Sequence, residues 1–358
     1  MAKIIHAADI HLGASFSYLP PEQAEQARQA QWQALADLAQ FAGERHADAV
    51  LLAGDLFDDP YASGELGRKA MGILGKCPCP VFISPGNHDF YHSGSVYAAS
   101  YVPKNVHVFK SREMQGVPLA DGQTVVYGAA FEEDSAYLAM AENLDPDKVN
   151  LCCIHGDLLR PDSGYNPIQP QEISDSGFTY IAAGHNHQSS GLRKAGRTYY
   201  ACPGSFCALT AREEGRRGYL FGQITQDDIK MTFVPCKTIR LIGLEVDVSD
   251  IFSDSALQEK ITIQMPEERE RTCLRLTLSG TKNYEIGLSA LERALKRAFF
   301  HCVLRDETQE PSNLWEGLQE NDLRGAVLRR MRAELKHAQG EEREKILRAA
   351  QYLQSAMN

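Results

Sequence analysis

Short apolar runs that end at polar residues recur along the first two-thirds of the chain. Each run has four to six residues, most of them Val, Ile, Leu or Ala, and leads into Asp, His or Asn. Continuous apolar runs of this length are typical of strands that are covered on both faces. The five runs are KIIHAA before Asp9 and His11, AVLLA before Asp55, VFIS before Asn87, His88 and Asp89, VNLCCI before His155, and YIAA before His185 and His187.

Amphipathic segments separate the early runs. Residues 21–45 start with a Pro and place Trp32, Leu35 and Leu38 at helical spacing, and residues 64–75 predict a second, shorter helix. This alternation of strand and helix predicts an α/β fold with a largely parallel central sheet. Since ligands bind beyond the carboxyl ends of the strands in such sheets, the five polar groups are expected to converge.

The rest of the chain predicts further layers. The runs VVYGAAF, TYYAC, GYLFGQI and IKMTFVP have little helix between them, and a two-sheet sandwich flanked by helices accommodates both sets of runs. Strand and helix patterns then alternate again, and from about residue 312 the chain becomes helical and charged. We therefore predict a first domain over 1–236, a small α+β domain over 237–308, and a C-terminal helical region over 309–358 that a partner could dock on.

Composition indicates a soluble globular protein, with 43% hydrophobic and 23% charged residues among 358. The nine cysteines lack the spacing of a disulfide framework, which favours a reducing compartment. No apolar run approaches the roughly 18 residues that span a bilayer, and the N-terminus lacks a signal-peptide core. We therefore predict a cytoplasmic protein with no membrane association.

The net charge of −10 argues against nucleic-acid binding by bulk electrostatics. It leaves a nuclease open, because metal ions add positive charge at an acidic site and a partner subunit can hold the polymer.

The strand-end side chains are carboxylate, imidazole and amide groups, without a thiolate. Such mixed oxygen and nitrogen ligands favour divalent Mn, Fe, Zn or Ni. Two ions roughly 3.5–4 Å apart can bind a phosphate and drive an in-line displacement. Residues two apart share a face of an extended strand end, so each D-x-H or H-x-H pair can grip a metal, and one Asp can bridge two. The eight candidates are Asp9, His11, Asp55, Asn87, His88, His155, His185 and His187.

In their order, the motifs D-x-H, G-D, G-N-H-D, H-G and G-H-x-H resemble those of the calcineurin-like metallophosphoesterases over roughly residues 3–235. The resemblance implies two divalent ions, Mn²⁺ in first place, with Fe, Zn or Ni as alternatives. It implies that His88 is not a ligand but protonates the leaving oxygen of the phosphate, and that Asp89 orients His88. It assigns one ion to Asp9, His11, Asp55 and His187, and the other to Asp55, Asn87, His155 and His185.

The fuller patterns HAADIHLG, LLAGDLFD and SPGNHD look like the DNA-repair exonuclease branch of that superfamily, the SbcD-type nuclease subunits and their bacterial relatives. The segment YYACPGSFCALTAREEGRRGYLFGQI also resembles that branch. Its members combine a phosphoesterase domain, a small capping domain and C-terminal helices that dock on a coiled-coil SMC-like ATPase, and homodimers are common. The resemblance therefore implies a DNA exonuclease with an ATPase partner. Where some relatives have a His three residues after the bridging Asp, this chain has Asp58.

Two other functions stay open. A phosphatase or phosphodiesterase that acts on a small nucleotide or another phosphate ester would have the same metals and fold, and the net charge of −10 favours it. A non-enzymatic scaffold is less consistent with a complete ligand set.

Several polar residues near the motifs also have plain structural explanations. His6 is expected to be packed, and Asp157 and Arg160 to lie in a loop near the site. Three basic residues are expected to form either a solvated face or a phosphate contact: Arg212, Arg216 and Arg217.

Overall fold

The computed structural model describes residues 1–99, 101–309 and 314–357. These residues form fifteen strands: β1 (Ala2–Ala7), β2 (Ala49–Leu52), β3 (Val81–Ile83), β4 (Val106–Val108), β5 (Gln115–Pro118), β6 (Thr124–Gly128), β7 (Val149–His155), β8 (Tyr180–Gly184), β9 (Arg193–Ala195), β10 (Thr198–Ala201), β11 (Gly218–Ile224), β12 (Ile229–Pro235), β13 (Arg240–Asp247), β14 (Thr272–Ser279) and β15 (His301–Asp306). They also form eight α-helices: α1 (Pro21–Glu44), α2 (Gly64–Leu74), α3 (Val96–Ala99), α4 (Pro170–Asp175), α5 (Asp254–Gln264), α6 (Leu288–Ala298), α7 (Leu323–Leu335) and α8 (Gly340–Met357). Within the described ranges, no helix has both the length and the apolar character needed to cross a bilayer.

The chain divides into two compact units, Met1–Arg240 and Leu241–Asn358. The first unit contains two six-stranded sheets, with the orders β12-β11-β1-β2-β3-β4 and β5-β6-β7-β8-β10-β9. Strands β1 to β4 are parallel to their neighbours in that series, as are β6, β7, β8 and β10 in the second sheet. The prediction of an α/β fold with two sheets flanked by helices is confirmed.

The distribution of strands between the two sheets differs from the prediction. Strands β7 and β8, predicted together with β1 to β3, lie in the second sheet, whereas β11 and β12 complete the first. An apolar run indicates that both faces of a strand are covered, but it does not specify the neighbouring strand. The predicted site residues therefore converge from the ends of two sheets.

Apolar layers on both faces of β1 and β2 hold the first unit together. Ile5 of β1 belongs to the same buried cluster as Leu38 of α1. Ile4 and Leu51 belong to a different cluster, which includes Leu151 of the second sheet. Successive side chains of a strand point to opposite faces, so β1 contributes to both layers. This double burial fixes where the strands end, and hence where the polar residues begin.

The second unit contains the three-stranded sheet β13-β14-β15 and helices α5 to α8. Its main core joins buried residues of β14 to those of α5 and α6. Leu323, the first residue of α7, is 81% exposed. The division of this unit into 237–308 and 309–358 stays a prediction, and residues 310–313 and 358 lie outside the described residues.

Candidate metal centre

His155 is the last residue of β7, the other candidate ligands lie on the loops that follow β1, β2, β3 and β8, and hydrogen bonds tie these segments together. The backbone N–H of Asp9 donates to the carbonyl of Gly54 (3.1 Å), and that of His11 donates to the carbonyl of Asp55 (2.9 Å). The backbone N–H of His185 donates to Oδ1 of Asp9 at 2.9 Å. This last bond connects a loop of the second sheet to a loop of the first.

Four candidate ligands have a left-handed backbone conformation that residues other than Gly rarely adopt. The φ angles are 50° at Asp9, 51° at His11, 49° at Asp55 and 87° at His185. Such conformations cost on the order of 1–3 kcal/mol each and cluster at functional sites. Their concentration in these loops supports a binding or catalytic role.

Two glycines leave the space that neighbouring ligands occupy. A Cβ atom at Gly86 would collide with Oδ1 of Asp55, and one at Gly54 would collide with Nδ1 of His155. Gly54 also has a φ of +92°, which L side chains rarely adopt. The glycines of the G-D and G-N-H-D motifs are therefore steric requirements of the site.

One group of potential ligand atoms belongs to Asp9, His11 and His187, and these atoms lie within 4.8 Å of one another. The Nε2 atom of His11 lies 3.6 Å from Oδ2 of Asp55. The four residues that the resemblance assigns to one ion thus form a contiguous group.

A second group surrounds Asn87. Its Oδ1 atom lies 2.9 Å from Nε2 of His155 and 3.2 Å from Nδ1 of His185. The Nε2 atom of His155 also lies 3.3 Å from Oδ2 of Asp55. The same oxygen of Asp55 therefore faces both groups, which is the arrangement that a bridging carboxylate requires. The structure brings all seven predicted ligands together.

Hydrogen-bond acceptors determine which nitrogen of three histidines faces the site. The Nδ1 atom of His11 lies 2.9 Å from Oδ1 of Asp58, and that of His187 lies 3.1 Å from Oε1 of Glu213. The Nδ1 atom of His155 lies 3.0 Å from the carbonyl oxygen of Ala53. Because these oxygens can only accept, Nδ1 carries a proton and donates it, so Nε2 is the nitrogen that would offer a lone pair to a metal.

Two of these partners extend the predicted set. The sequence singles out Asp58 only because some relatives have His at this position. It assigns no role to Glu213, which lies in the segment after the histidine pair. Sequence spacing gives no signal that pairs either residue with its histidine, since 47 residues separate Asp58 from His11 and 26 separate Glu213 from His187.

Electrostatics at the site favour a bound cation. Burial opposes protonation of His11, but the hydrogen bond to Asp58 and the charges of Asp55 and Asp9 raise its pKa to about 9. Burial disfavours ionised Asp55, yet the neighbouring His155 and His11 lower its pKa overall. At His185, burial and then the charge of His155 lower the pKa to about 4. The carboxylates attract positive charge, and divalent ions can supply it.

Two further observations show that the residues fit a metal. The Nε2 atom of His11 is buried and has no hydrogen-bond partner among the described residues. Asp9 and Asp55 are 0% and 1% exposed, and within the described ranges neither forms an ion pair with Lys or Arg. A buried charge needs a partner, and these oxygen and nitrogen donors suit a divalent ion.

His88 is exposed and lies beside the first group. Its ring centroid lies 4.8 Å from that of His11, and its backbone N–H donates to Oδ1 of Asp55 at 2.9 Å. Its Nδ1 atom lies 3.3 Å from the carbonyl oxygen of Asp58. Exposure makes this imidazole accessible to a substrate.

Asp89 has contacts different from the expected one to the His88 ring. Its carboxylate accepts hydrogen bonds from the backbone N–H groups of Leu56 (2.8 Å), Phe57 (3.1 Å) and Gly86 (2.7 Å), and from the hydroxyl of Tyr97. Among the described residues it forms no hydrogen bond with the ring of His88. Burial and the charge of Asp55 raise its pKa. Asp89 thus joins the loop after β2 to the loop after β3, and it can affect His88 only through the backbone.

The other residues near the motifs are mostly structural. His6 is buried between the hydroxyl of Tyr180 (2.8 Å) and the carbonyl of Ala183 (3.1 Å), as expected for a packed residue. Asp157 is 1% exposed and accepts from the backbone N–H groups of Leu159 and Arg160.

The three residues of the predicted basic patch differ in their exposure to solvent. Arg212 and Arg216 are exposed, but Arg217 is only 5% exposed and cannot form part of a solvated face. Its guanidinium instead contacts backbone and side-chain oxygens within the first unit.

Comparisons with known proteins agree with this geometry. The chain is 28% identical over 331 residues to the uncharacterized metallophosphoesterase YhaO of Bacillus subtilis, covering 87% of this chain and 79% of that protein. It is 25% identical over 304 residues to the SbcD component of the nuclease SbcCD of Staphylococcus epidermidis (73% and 76% covered). It is 27% identical over 229 residues to the DNA double-strand break repair protein Mre11 of Sulfurisphaera tokodaii (61% and 56% covered).

The sequence profile of the calcineurin-like phosphoesterases matches residues 2–189, more than half of the 358 residues. This range contains β1, β2, β3, β7 and β8 and all seven candidate ligands. The chain therefore belongs to the calcineurin-like phosphoesterase family.

Proposed function

We propose that the chain is a two-metal phosphodiesterase that degrades DNA as an exonuclease. The observation that carries the proposal is the convergence of seven side chains with oxygen and nitrogen donors from five strand ends, with Oδ2 of Asp55 facing His11 of one group and His155 of the other. Polynucleotide as the substrate is supported by the similarity to the SbcD component of the nuclease SbcCD and to the repair protein Mre11.

Two metal positions share Asp55 in this proposal. The first is formed with Asp9, His11 and His187, and the second with Asn87, His155 and His185. Divalent ions, with Mn²⁺ as the first candidate, supply Lewis-acid activation of water and of the phosphate oxygens when bound. The protein contributes the fixed orientation of each ligand, through the acceptors on the histidine Nδ1 atoms and the left-handed loops.

His88 is the proposed general acid. Its imidazole is exposed beside the metal ligands, so it can donate a proton to the leaving oxygen of the scissile phosphate. The carbonyl of Asp58 contacts its Nδ1 atom, and Asp89 holds the backbone of its loop. In this proposal Asp89 therefore acts as a positioning residue.

The proposal includes a coiled-coil ATPase as partner and a cytoplasmic location. A partner that holds DNA would compensate for the net charge of −10, which disfavours binding of a polyanion by this chain alone. Helices α7 and α8, with Leu323 81% and Tyr352 70% exposed, offer apolar surface for docking. All nine cysteines have free thiols, as is usual in a reducing compartment.

The same net charge favours a second candidate function, hydrolysis of a small nucleotide or another phosphate ester. Fold and metal ligands would be the same, so only the substrate distinguishes the two functions.

A side-by-side assay separates them. Purified protein with Mn²⁺ is incubated with end-labelled linear duplex DNA, single-stranded DNA and bis-p-nitrophenyl phosphate. His88→Ala is the test variant, and His46→Asn is the control, because His46 is exposed at the end of α1 and Asn tolerates its φ of 51°. Stepwise shortening of DNA by the wild type and the control, but not by His88→Ala, is the expected result.

Two results would contradict the proposal. Full DNA degradation by His88→Ala would exclude this residue as the general acid. A kcat/KM orders of magnitude higher for small phosphate esters than for DNA, both alone and with the ATPase added, would favour the second function.

A further inference from the structure

Glu213 lies outside the predicted ligand set but contacts His187 directly. Its Oε1 atom accepts the Nδ1–H of His187 at 3.1 Å, and its Oε2 atom accepts the backbone N–H of Leu209 at 3.0 Å. The Thr210 hydroxyl donates to the same carboxylate at 3.2 Å. The side chain of Glu213 is only 14% exposed. Several hydrogen bonds therefore hold this carboxylate in place, and it can orient the imidazole of His187.

Arg217 fixes the same region from the interior. Its Nη1 atom donates to the backbone carbonyl of His187 at 2.6 Å and to the hydroxyl of Ser205 at 2.8 Å, and it lies 3.8 Å from Oε2 of Glu213. The backbone N–H of Ser205 also donates to the carbonyl of His187 at 3.1 Å. Both the backbone and the ring of His187 are thus held by residues 205–217, which follow the last motif.

The histidines of the two metal positions differ in the charge of the groups that they contact on the side away from the metal. His11 and His187 donate from Nδ1 to carboxylates, those of Asp58 and Glu213, at 2.9 and 3.1 Å. In the other position His155 donates to the neutral carbonyl of Ala53, and Nε2 of His185 lies 3.6 Å from Oδ2 of Asp157, beyond hydrogen-bond distance. A carboxylate partner orients an imidazole and raises its basicity as a ligand, and its loss typically lowers metal affinity about 10–100-fold.

We propose that Glu213, braced by Arg217, is a positioning residue that orients His187 and strengthens the metal position formed by Asp9, His11 and His187. The proposal rests on the metal-dependent function proposed above. It concerns one metal position only, because the ligands around Asn87 make no contact with Glu213 in the described part of the chain.

Metal titration tests this proposal without relying on activity. The full-length protein is freed of metal by chelation, and Mn²⁺ binding is followed by electron paramagnetic resonance and isothermal titration calorimetry. Glu213→Gln keeps the size and an acceptor oxygen but removes the charge. We expect one of two bound ions to lose about 10–100-fold in affinity while the other is unchanged.

Two matched variants identify the position that is weakened. Glu214→Gln changes the adjacent, exposed carboxylate and should leave both affinities at the wild-type value. Asp58→Asn removes the charged partner of His11 and should weaken the same ion as Glu213→Gln, since both histidines belong to one position. Thermal unfolding of the metal-free proteins verifies that each variant is folded.

Three results would overturn the proposal. Unchanged affinities in Glu213→Gln would show that its carboxylate is only a loop contact. Equal weakening of both ions, with a lower melting temperature, would indicate a general loss of structure. If the wild type bound no Mn²⁺, Zn²⁺ or Fe²⁺, the metal-dependent function itself would fail, and this inference with it; binding of two ions by the wild type separates the two failures.

Discussion

The two units of the chain differ in what they bury. Met1–Arg240 buries eight His, Asp and Arg side chains, whereas the buried polar residues described in Leu241–Asn358 are the neutral Thr272 and Asn283. The eight residues are His6, Asp9, His11, Asp55, Asp89, His155, Asp157 and Arg217. Burying a charge costs several kcal/mol unless it is paired. The burial of these ionisable groups therefore opposes folding of the first unit but not of the second.

Strained backbone conformations, like those buried ionisable residues, are found in the first unit. The non-glycine residues with positive φ all lie in the first unit, as far as the chain is described, and four of them are candidate metal ligands. The second unit consists of regular strands and helices around an apolar core. The first unit thus contains buried charges and strained loops that apolar packing alone does not require, while ordinary packing is sufficient to explain the second. Four tests can break or sharpen this contrast.

The largest effect is expected for Asp55→Ala. Its Oδ2 atom faces both metal positions, and since the loss of an outer partner alone costs about 10–100-fold in affinity or activity, removal of the shared ligand should cost more than about 100-fold. The measurement is kcat/KM for bis-p-nitrophenyl phosphate with Mn²⁺. Asp250→Ala, at an exposed carboxylate of the second unit, is the control. Activity of Asp55→Ala within twofold of the wild type would end the proposal that Asp55 bridges two ions.

The second unit should show the opposite response. Leu276 of β14 is 0% exposed, so Leu276→Ala should lower the free energy of unfolding by about 2–5 kcal/mol. Activity on the small diester should be unchanged at a temperature where both proteins are folded, because every candidate ligand belongs to the first unit. Urea denaturation followed by circular dichroism measures the first quantity. A large loss of activity in the folded variant would contradict this separation.

Two glycines make a matched pair within the first unit. Gly86→Ala introduces a Cβ that collides with Asp55, and we expect the Mn²⁺ affinity to fall about 10–100-fold. Gly72 of α2 has open space around its Cβ position, so Gly72→Ala should keep the affinity and raise the free energy of unfolding by about 0.5–1 kcal/mol. Calorimetric titration and thermal unfolding measure both. Equal metal affinities in the two variants would contradict a steric role for Gly86.

The smallest loss of stability is expected for the removal of a helix cap, and it should be the same in both units. Ser63 caps α2 and Ser253 caps α5, and each side chain accepts a backbone N–H at 3.3 Å, from Leu66 and Ala256. Replacing either serine by Ala should lower the free energy of unfolding by about 1 kcal/mol and leave the kcat/KM unchanged. Urea denaturation checks this. A marked activity loss in Ser63→Ala alone would show that α2 is coupled to the site.

Local elements with a clear hydrophobic period are predictable from this sequence. Strands β11 and β12 match the predicted runs GYLFGQI and IKMTFVP residue for residue. The elements that escaped prediction are short, namely β4, β5, β9, α3 and α4. Strands β5 and β9 lie at sheet edges and are largely exposed, so they need no apolar pattern.

The site shows a similar limit. The convergence of its seven ligands follows from polar residues at the ends of apolar runs and from the order of the motifs. The hydrogen-bond partners of the histidines cannot be predicted in this way. Asp58, Glu213 and the carbonyl of Ala53 are all far in sequence from the rings that they contact. Arg217 illustrates the same point, since an arginine in a basic segment has no local signal that it will be buried.

The sequence by itself determined the strands that lead to the site, where those strands end, and which donors lie there, because these features depend on local hydrophobic periodicity and on side-chain chemistry. Only the tertiary structure decided which sheet each strand joins, which oxygen of Asp55 faces both metal positions, and which acceptors hold the histidine rings. Those features depend on distances between residues far apart in the chain, and only the pairing of strands and the packing of layers bring such residues together.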